Sequence, residues 1–163
     1  MKILVSKDFG SDKPSNDTIE EFMDATKTAF DKVTLFFDNG SHDTEGSHSE
    51  DDFSFIGLDF EERNEALNIS VRSAVEKQCD AILFFNKQSF PKKQIVDKLF
   101  SPMEDENIFA TISDYTIDDV LMVQNNPVVT CRRLEKTDNL FDLTKCQGIV
   151  KYIPLDLYHV TTN

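Results

Sequence analysis

Three short apolar runs, each too brief for a helix and separated by stretches of helical period, constrain this chain most. Ile3, Leu4 and Val5 form the first, Val33, Leu35, Phe36 and Phe37 the second, and residues 81–85, Ala-Ile-Leu-Phe-Phe, the third. Continuous apolar runs of this length, bounded by polar turns, are the pattern of strands buried on both faces. Between the first two lie the helix-starting residues Pro14, Ser15, Asn16 and Asp17, with Glu20 three places after Asp17. Ile19, Phe22, Met23, Thr26 and Phe30 then fall on one face at helical spacing. Between the second and third, residues 61–78 carry Leu67, Val71, Ala74 and Val75 at the same spacing. Strands alternating with helices predict βαβ units and a mostly parallel central sheet flanked by helices, an α/β fold.

The rest of the chain extends that pattern. Residues 39–52 are Gly, Ser, His, Asp and Glu without a period, which predicts a long mobile loop able to cover a site, and residues 53–60 restore a strand-like segment. A second short helix is expected over 91–100 and a strand over 108–112. Residues 128–133 and 149–153 read as further strands, joined by polar segments around 137–146. With 163 residues, 39% of them hydrophobic, and no repeat or low-complexity linker, residues 1–163 are read as a single domain.

A net charge of −13, from 30 acids against 17 bases, argues against nucleic acid or an anionic membrane as partner. The acidic run 45–62 reads as a solvated loop and helix start. Cys79, Cys131 and Cys146 are odd in number and without a C-x-x-C pair, which suggests neither a disulfide framework nor a zinc site and fits a reducing compartment. The amino terminus opens on a strand pattern and not on a secretory leader. No apolar run approaches the ~20 residues that span a bilayer. A cytoplasmic protein without a membrane span is the expectation.

Ligands of open α/β sheets sit beyond the carboxyl ends of the strands, and the second run ends there on Asp38-Asn39-Gly40-Ser41-His42-Asp43. That stretch resembles the D-[DN]-G-S-x-D turn of inverting, nucleotide-sugar glycosyltransferases of the GT-A fold. Residues 68–86, from Asn68 through Ala74 and Asp80 to Asn86, are similar without a gap to the N-x-G-I-x-x-A…D-x-[VI]-L-x-L-N-P-D run of family 2, rhamnosyltransferase-like members, with Ser70 where the family has glycine. Residues 148–154 and the later His159 resemble the closing strand and histidine of the same fold.

The resemblance implies a shortened, single-domain GT-A-like fold in which residues 1–114 are the nucleotide-sugar-binding half and 115–163 a shortened acceptor half. It implies a nucleotide-sugar donor and an acceptor, glycan, protein or small molecule, that the sequence does not name. Ser6, Lys7, Asp8, Asp38, Asn39, Asn68, Asn86 and Lys87 would serve the nucleotide and its diphosphate. The family's D-x-D motif, whose last acid binds Mg²⁺ or Mn²⁺, corresponds here to Asn86-Lys87-Gln88, a degenerate version. Gln88 lacks the charge that hard cations favour, and Lys87 adds a positive charge that could balance phosphate directly. By resemblance, Gln88 and His159 mark the metal positions. The general base has no clear counterpart: Phe141, Asp142 and Leu143 lie almost against Gly148, which leaves Asp138 and Asp142 as substitutes.

Two functions follow from these residues: sugar transfer from a nucleotide-sugar donor, or a binding or interaction module that keeps the fold without the reaction. A different nucleotide binder of Rossmann type is disfavoured, because neither G-x-G-x-x-G nor G-x-x-x-x-G-K-[ST] occurs. His42, His48 and His159 carry no nucleophile signature. Phe53 and Phe55, beside the acidic run, read as core residues or as a partner surface.

Overall fold

The computed structural model describes residues 1–10, 13–39, 44–48, 50–59, 65–123, 126–134 and 148–162. Strand β1 (Lys2–Asp8) lies between two parallel neighbours, β2 (Asp31–Asp38) and β5 (Ala81–Phe85), so its backbone is bonded on both sides. Its side chains alternate between two apolar layers. Ile3 and Val5 join Ile19, Phe22 and Met23 of α1 (Asn16–Ala25), whereas Leu4 joins Leu67 and Ala74 of α2 (Ala66–Glu76) on the opposite face. This two-sided burial is why the first run carries no polar alternation.

Helix α1 begins where Ser15 accepts the amide of Thr18 at 3.2 Å. It ends at Thr26, whose buried hydroxyl donates to the Phe22 carbonyl at 2.9 Å, so the one polar member of the stripe needs no water. Phe30 lies beyond the helix and packs edge-on against Phe100 at 4.9 Å. In α2, Leu67 and Ala74 are buried, but Val75 is 63% exposed. The described helix begins at Ala66; residues 60–64 of the expected segments lie outside the described residues.

Among the described residues the sheet has ten strands. Strand β3 (Thr44–His48) pairs antiparallel with β4 (Asp51–Gly57), which runs parallel to β2. The expected loop over 39–52 is therefore corrected in its described part: Gly46 faces Phe53, whose ring occupies the space a Cβ would need, with ring carbons at 2.5 and 2.7 Å from that point. Phe53 and Phe55 pack on Phe36 at 5.3 and 5.1 Å, so both serve the core. Residues 40–43 and 49 lie outside the described residues.

After β5 the chain makes a short strand β6 (Ser89–Pro91), then α3 (Ile95–Phe100) and a 3₁₀ turn (Ser101–Glu104). The helix expected over 91–100 is thus halved, because Ser89 and Pro91 pair with the last long strand. Strand β7 (Ile108–Ile117) continues past the expected end at 112 and turns through Asp118 and Asp119, both at positive φ, into β8 (Val120–Met122). Strand β9 (Cys131–Arg133) crosses between β5 and β7, and β10 (Ile149–Val160) lies between β7 and β6. Helix α3 packs with α1 on one face, and its Leu99 carbonyl accepts the buried Thr111 hydroxyl at 2.6 Å.

The expectation of a mostly parallel sheet is corrected. Among the described residues, the pairings of β1 with β2, β1 with β5, β2 with β4 and β7 with β10 are parallel. Those of β3 with β4, β5 with β9, β7 with β8, β7 with β9 and β6 with β10 are antiparallel. The physical reason is local: β9 enters from the opposite direction, and hairpins or short returns replace crossover helices in the second half of the chain.

Two residues carry much of this packing. Phe36 is fully buried among Phe9, Phe22, Phe53 and Phe55, with ring centroids 5.1–5.3 Å away. Replacing it with Ala is expected to lower unfolding free energy by about 3–5 kcal/mol in urea titration. Tyr158, stacked on Tyr115 at 4.8 Å, accepts the amides of Val128 and Val129 at 3.1 and 3.2 Å. Tyr158→Phe keeps the ring but leaves those amides unpaired, and a loss of about 1–3 kcal/mol by the same titration is expected.

Candidate functional site

The turns after β1, β2 and β5 open on one edge of the sheet, the carboxyl edge of its parallel half. Asp38 ends β2 there and is 5% exposed. Its backbone carbonyl accepts the Leu58 amide at 2.9 Å, while its carboxylate makes no hydrogen bond or ion pair with the described residues. The carboxylate oxygens keep some access to solvent, and so to a donor group on a bound molecule. Asn39, next along, is exposed, and the remainder of that motif, residues 40–43, lies outside the described residues.

At the end of β1 the residues split by face. Ser6 points with Leu4 toward α2, where it is fully buried and accepts the Ser70 hydroxyl at 3.0 Å. Asp8 accepts the Gly10 amide at 2.8 Å, which closes the turn leaving β1. Gly10 has φ +82, and a Cβ there would come within 3.3 Å of the Lys87 side chain, so the missing side chain lets the two turns touch.

Lys7 takes the other face. It is fully buried, and its Nζ donates to the Asn86 carbonyl at 2.5 Å. The same amine sits 4.1 Å from the centroid of the Phe90 ring and 5.6 Å from that of Phe9. No carboxylate pairs with it among the described residues. Burial drives its pKa down to about 7, against a smaller opposing pull from Asp8.

Asn86 is exposed, and its side-chain oxygen accepts the amides of Gln88 and Ser89 at 3.1 and 3.0 Å, an Asx turn that shapes the segment between β5 and β6. Lys87 and Gln88 are exposed on that turn. The Gln88 carbonyl accepts the Thr161 amide at 2.8 Å, which ties the turn to the end of β10. His159 stands on β10 opposite Phe90 and stacks on its ring at 5.3 Å and 16°. Burial lowers the His159 pKa, and Lys92 and Lys7 lower it further against weaker pulls from Asp119 and Asp156.

The fold thus brings Lys7 and His159, beside the Asn86 turn, onto the ring of Phe90, a residue with no motif in the sequence to mark it. Asn68 is exposed in the first turn of α2, on the face opposite Lys7. Asp138 and Asp142 lie outside the described residues. The Asn86 turn does not suit Mg²⁺ or Mn²⁺: its only side-chain oxygens are neutral amides, Asn86 already bonds the backbone, and Lys7 and Lys92 lie close enough to bias His159 against positive charge.

Lys7 also leaves a signature in stability. Its folded pKa, about 7, lies below the ordinary value of 10.5. Between those values the unfolded chain binds more protons than the folded one, so this contribution to stability rises with pH across that window and is lost as pH falls through it. Lys7→Met is expected to be more stable than the parent below pH ~7 and to lose that advantage progressively toward pH ~10, as read by urea unfolding at each pH.

No family model matches the chain, and no curated protein matches it. Solved structures do. Over 99% of its length the chain superposes on the crystal structure of S. aureus TarS 1–349, with a TM-score of 0.58 and 10% identity. It spans 60% of that chain. At this identity the likeness is one of fold: a mixed α/β domain with a large, partly parallel sheet.

Proposed function

We propose that this domain binds a nucleotide-sugar donor at the carboxyl edge of β1, β2 and β5 and transfers its sugar to an acceptor. The observation that carries this reading is Asp38, a carboxylate 5% exposed at the strand end and without a protein donor among the described residues. Such a group is matched by the hydroxyls of a ribose or the N–H of a base. The neighbouring Asn86 turn, with Lys87 exposed on it, suits the diphosphate. The glycosyltransferase-like fold supports the same class of ligand.

In this mechanism Asp38 orients the nucleoside, and the positive charge around the Asn86 turn offsets the charge that grows on the diphosphate as the bond to the sugar breaks. The acceptor hydroxyl attacks the anomeric carbon and gives up its proton to a base; Asp138 and Asp142 are the carboxylates proposed from sequence for that step. The neutral amide of Gln88 favours a second reading, a module that binds the donor without turnover.

Calorimetric titration with UDP-, GDP- and dTDP-sugars separates these readings. Binding of one donor class is expected, weakened at least about tenfold by Asp38→Ala, the scale of a lost charged hydrogen bond. Lys87→Ala is expected to weaken it about three- to tenfold, less at high salt because that lysine is exposed. Failure of every donor to bind would sink both readings. Binding without release of nucleoside diphosphate, across broad acceptor mixtures, would select the second.

A further inference from the structure

The metal-ion chemistry implied by the resemblance and the neutral amides at the Asn86 turn disagree, and a buried amine lies beneath that turn. Among the described residues Lys7 is the only ammonium in the set of largest fully buried side chains, in a chain of net charge −13. Burying a cation is unfavourable unless it is paired. Yet its one hydrogen bond among the described residues goes to a neutral carbonyl, Asn86, at 2.5 Å, and its amine stands over the rings of Phe90 and Phe9.

We propose that Lys7 is a positioning residue and internal cation that holds the Asn86 turn from below and supplies the charge against which a donor diphosphate binds, so that donor binding needs no divalent ion. This rests on the nucleotide-sugar reading and adds the source of the charge and its control. A buried side chain cannot touch the ligand; it acts through the Asn86 carbonyl it fixes and through space, where low dielectric leaves its charge poorly screened. The incoming anion in turn becomes the partner that the protein withholds. Above pH ~7 the amine is neutral, the field is gone, and affinity falls.

The groups that share this region are Asp8 on β1, Lys87 on the turn, Lys92 after β6, and His159, Asp156 and Asp119 near the end of β10. His159 titrates below its ordinary 6.5, so a window from pH 6.5 to 8.5 isolates Lys7 from it. A nucleotide sugar is the right probe, because its diphosphate diester lacks the terminal phosphate ionisation near pH ~6 that would confound a free nucleotide.

The test is titration of the intact protein with UDP-, GDP- and dTDP-sugars in EDTA from pH 6.5 to 8.5, for the parent, Lys7→Met and His159→Gln. Expected are binding by the parent in EDTA and a dissociation constant that rises about three- to tenfold with pH. Weaker, pH-independent binding is expected for Lys7→Met, and a retained pH dependence for His159→Gln. A flat parent profile, Lys7→Met binding as tightly as the parent, or binding that appears only with Mn²⁺ overturns the internal cation and leaves the donor reading standing. Absence of binding by the parent at every pH, with and without Mn²⁺, overturns the donor reading and this inference together. If Lys7→Met does not fold, NMR titration of the Lys7 side chain in the parent decides: donor must raise its pKa, and an unmoved titration overturns the proposal.

Discussion

The double parallel pairing of β1, with β2 on one side and β5 on the other, is the constraint on which the rest of the molecule depends. A strand bonded on both edges and covered on both faces has no solvated side, so each of its side chains must be matched by a neighbouring layer. Ile3 and Val5 find α1, Leu4 finds α2, and Ser6 finds the hydroxyl of Ser70. Lys7 is the residue of β1 for which, among the described residues, this arrangement has no ion-pair partner, and its placement follows from the register: one position earlier or later, the amine would face α2.

From that register the candidate site follows. Because β1, β2 and β5 run in the same direction, Asp38 and the Asn86 turn emerge on the same edge as Lys7. The antiparallel β6 then returns beside β10, which brings Phe90 and His159 to the same place from distant parts of the chain. Among the described residues, the Asp38 carboxylate and the Lys7 ammonium have no ion-pair partner, and they stand near one edge on neighbouring strands. A ligand carrying both hydrogen-bond donors and negative charge would satisfy the two at once.

Elements buried on two faces are legible in the sequence, and elements whose pairing is decided at a distance are not. The runs at 3–5, 33–37 and 81–85 are legible because strands covered on both faces permit no polar alternation. Strand β3 escaped notice because Glu45, Gly46, Ser47 and His48 have no apolar period of their own; only the Phe53 ring lying over Gly46 makes the pairing worthwhile. The helix expected over 91–100 was shortened for a similar reason, since β10 takes Ser89, Phe90 and Pro91 as partners. Val75 fits the apolar stripe of α2 yet is 63% exposed, because a stripe names a face without saying how wide a neighbour covers it.

Periodicity and turn chemistry act over a few residues, so the order of the buried strands and helices and the placing of Asp38 and Asn86 at strand ends can be read from the chain alone. That residue 88 is a neutral amide is also plain from the sequence, since residue identity needs no coordinates. Only the tertiary structure decided that the sheet is half antiparallel, that Ser6 and Lys7 part company across it, and that Lys7 is buried beneath the Asn86 carbonyl against Phe90. Those facts depend on which distant segments pair and on the direction each side chain takes, and neither is written in any local stretch of the chain.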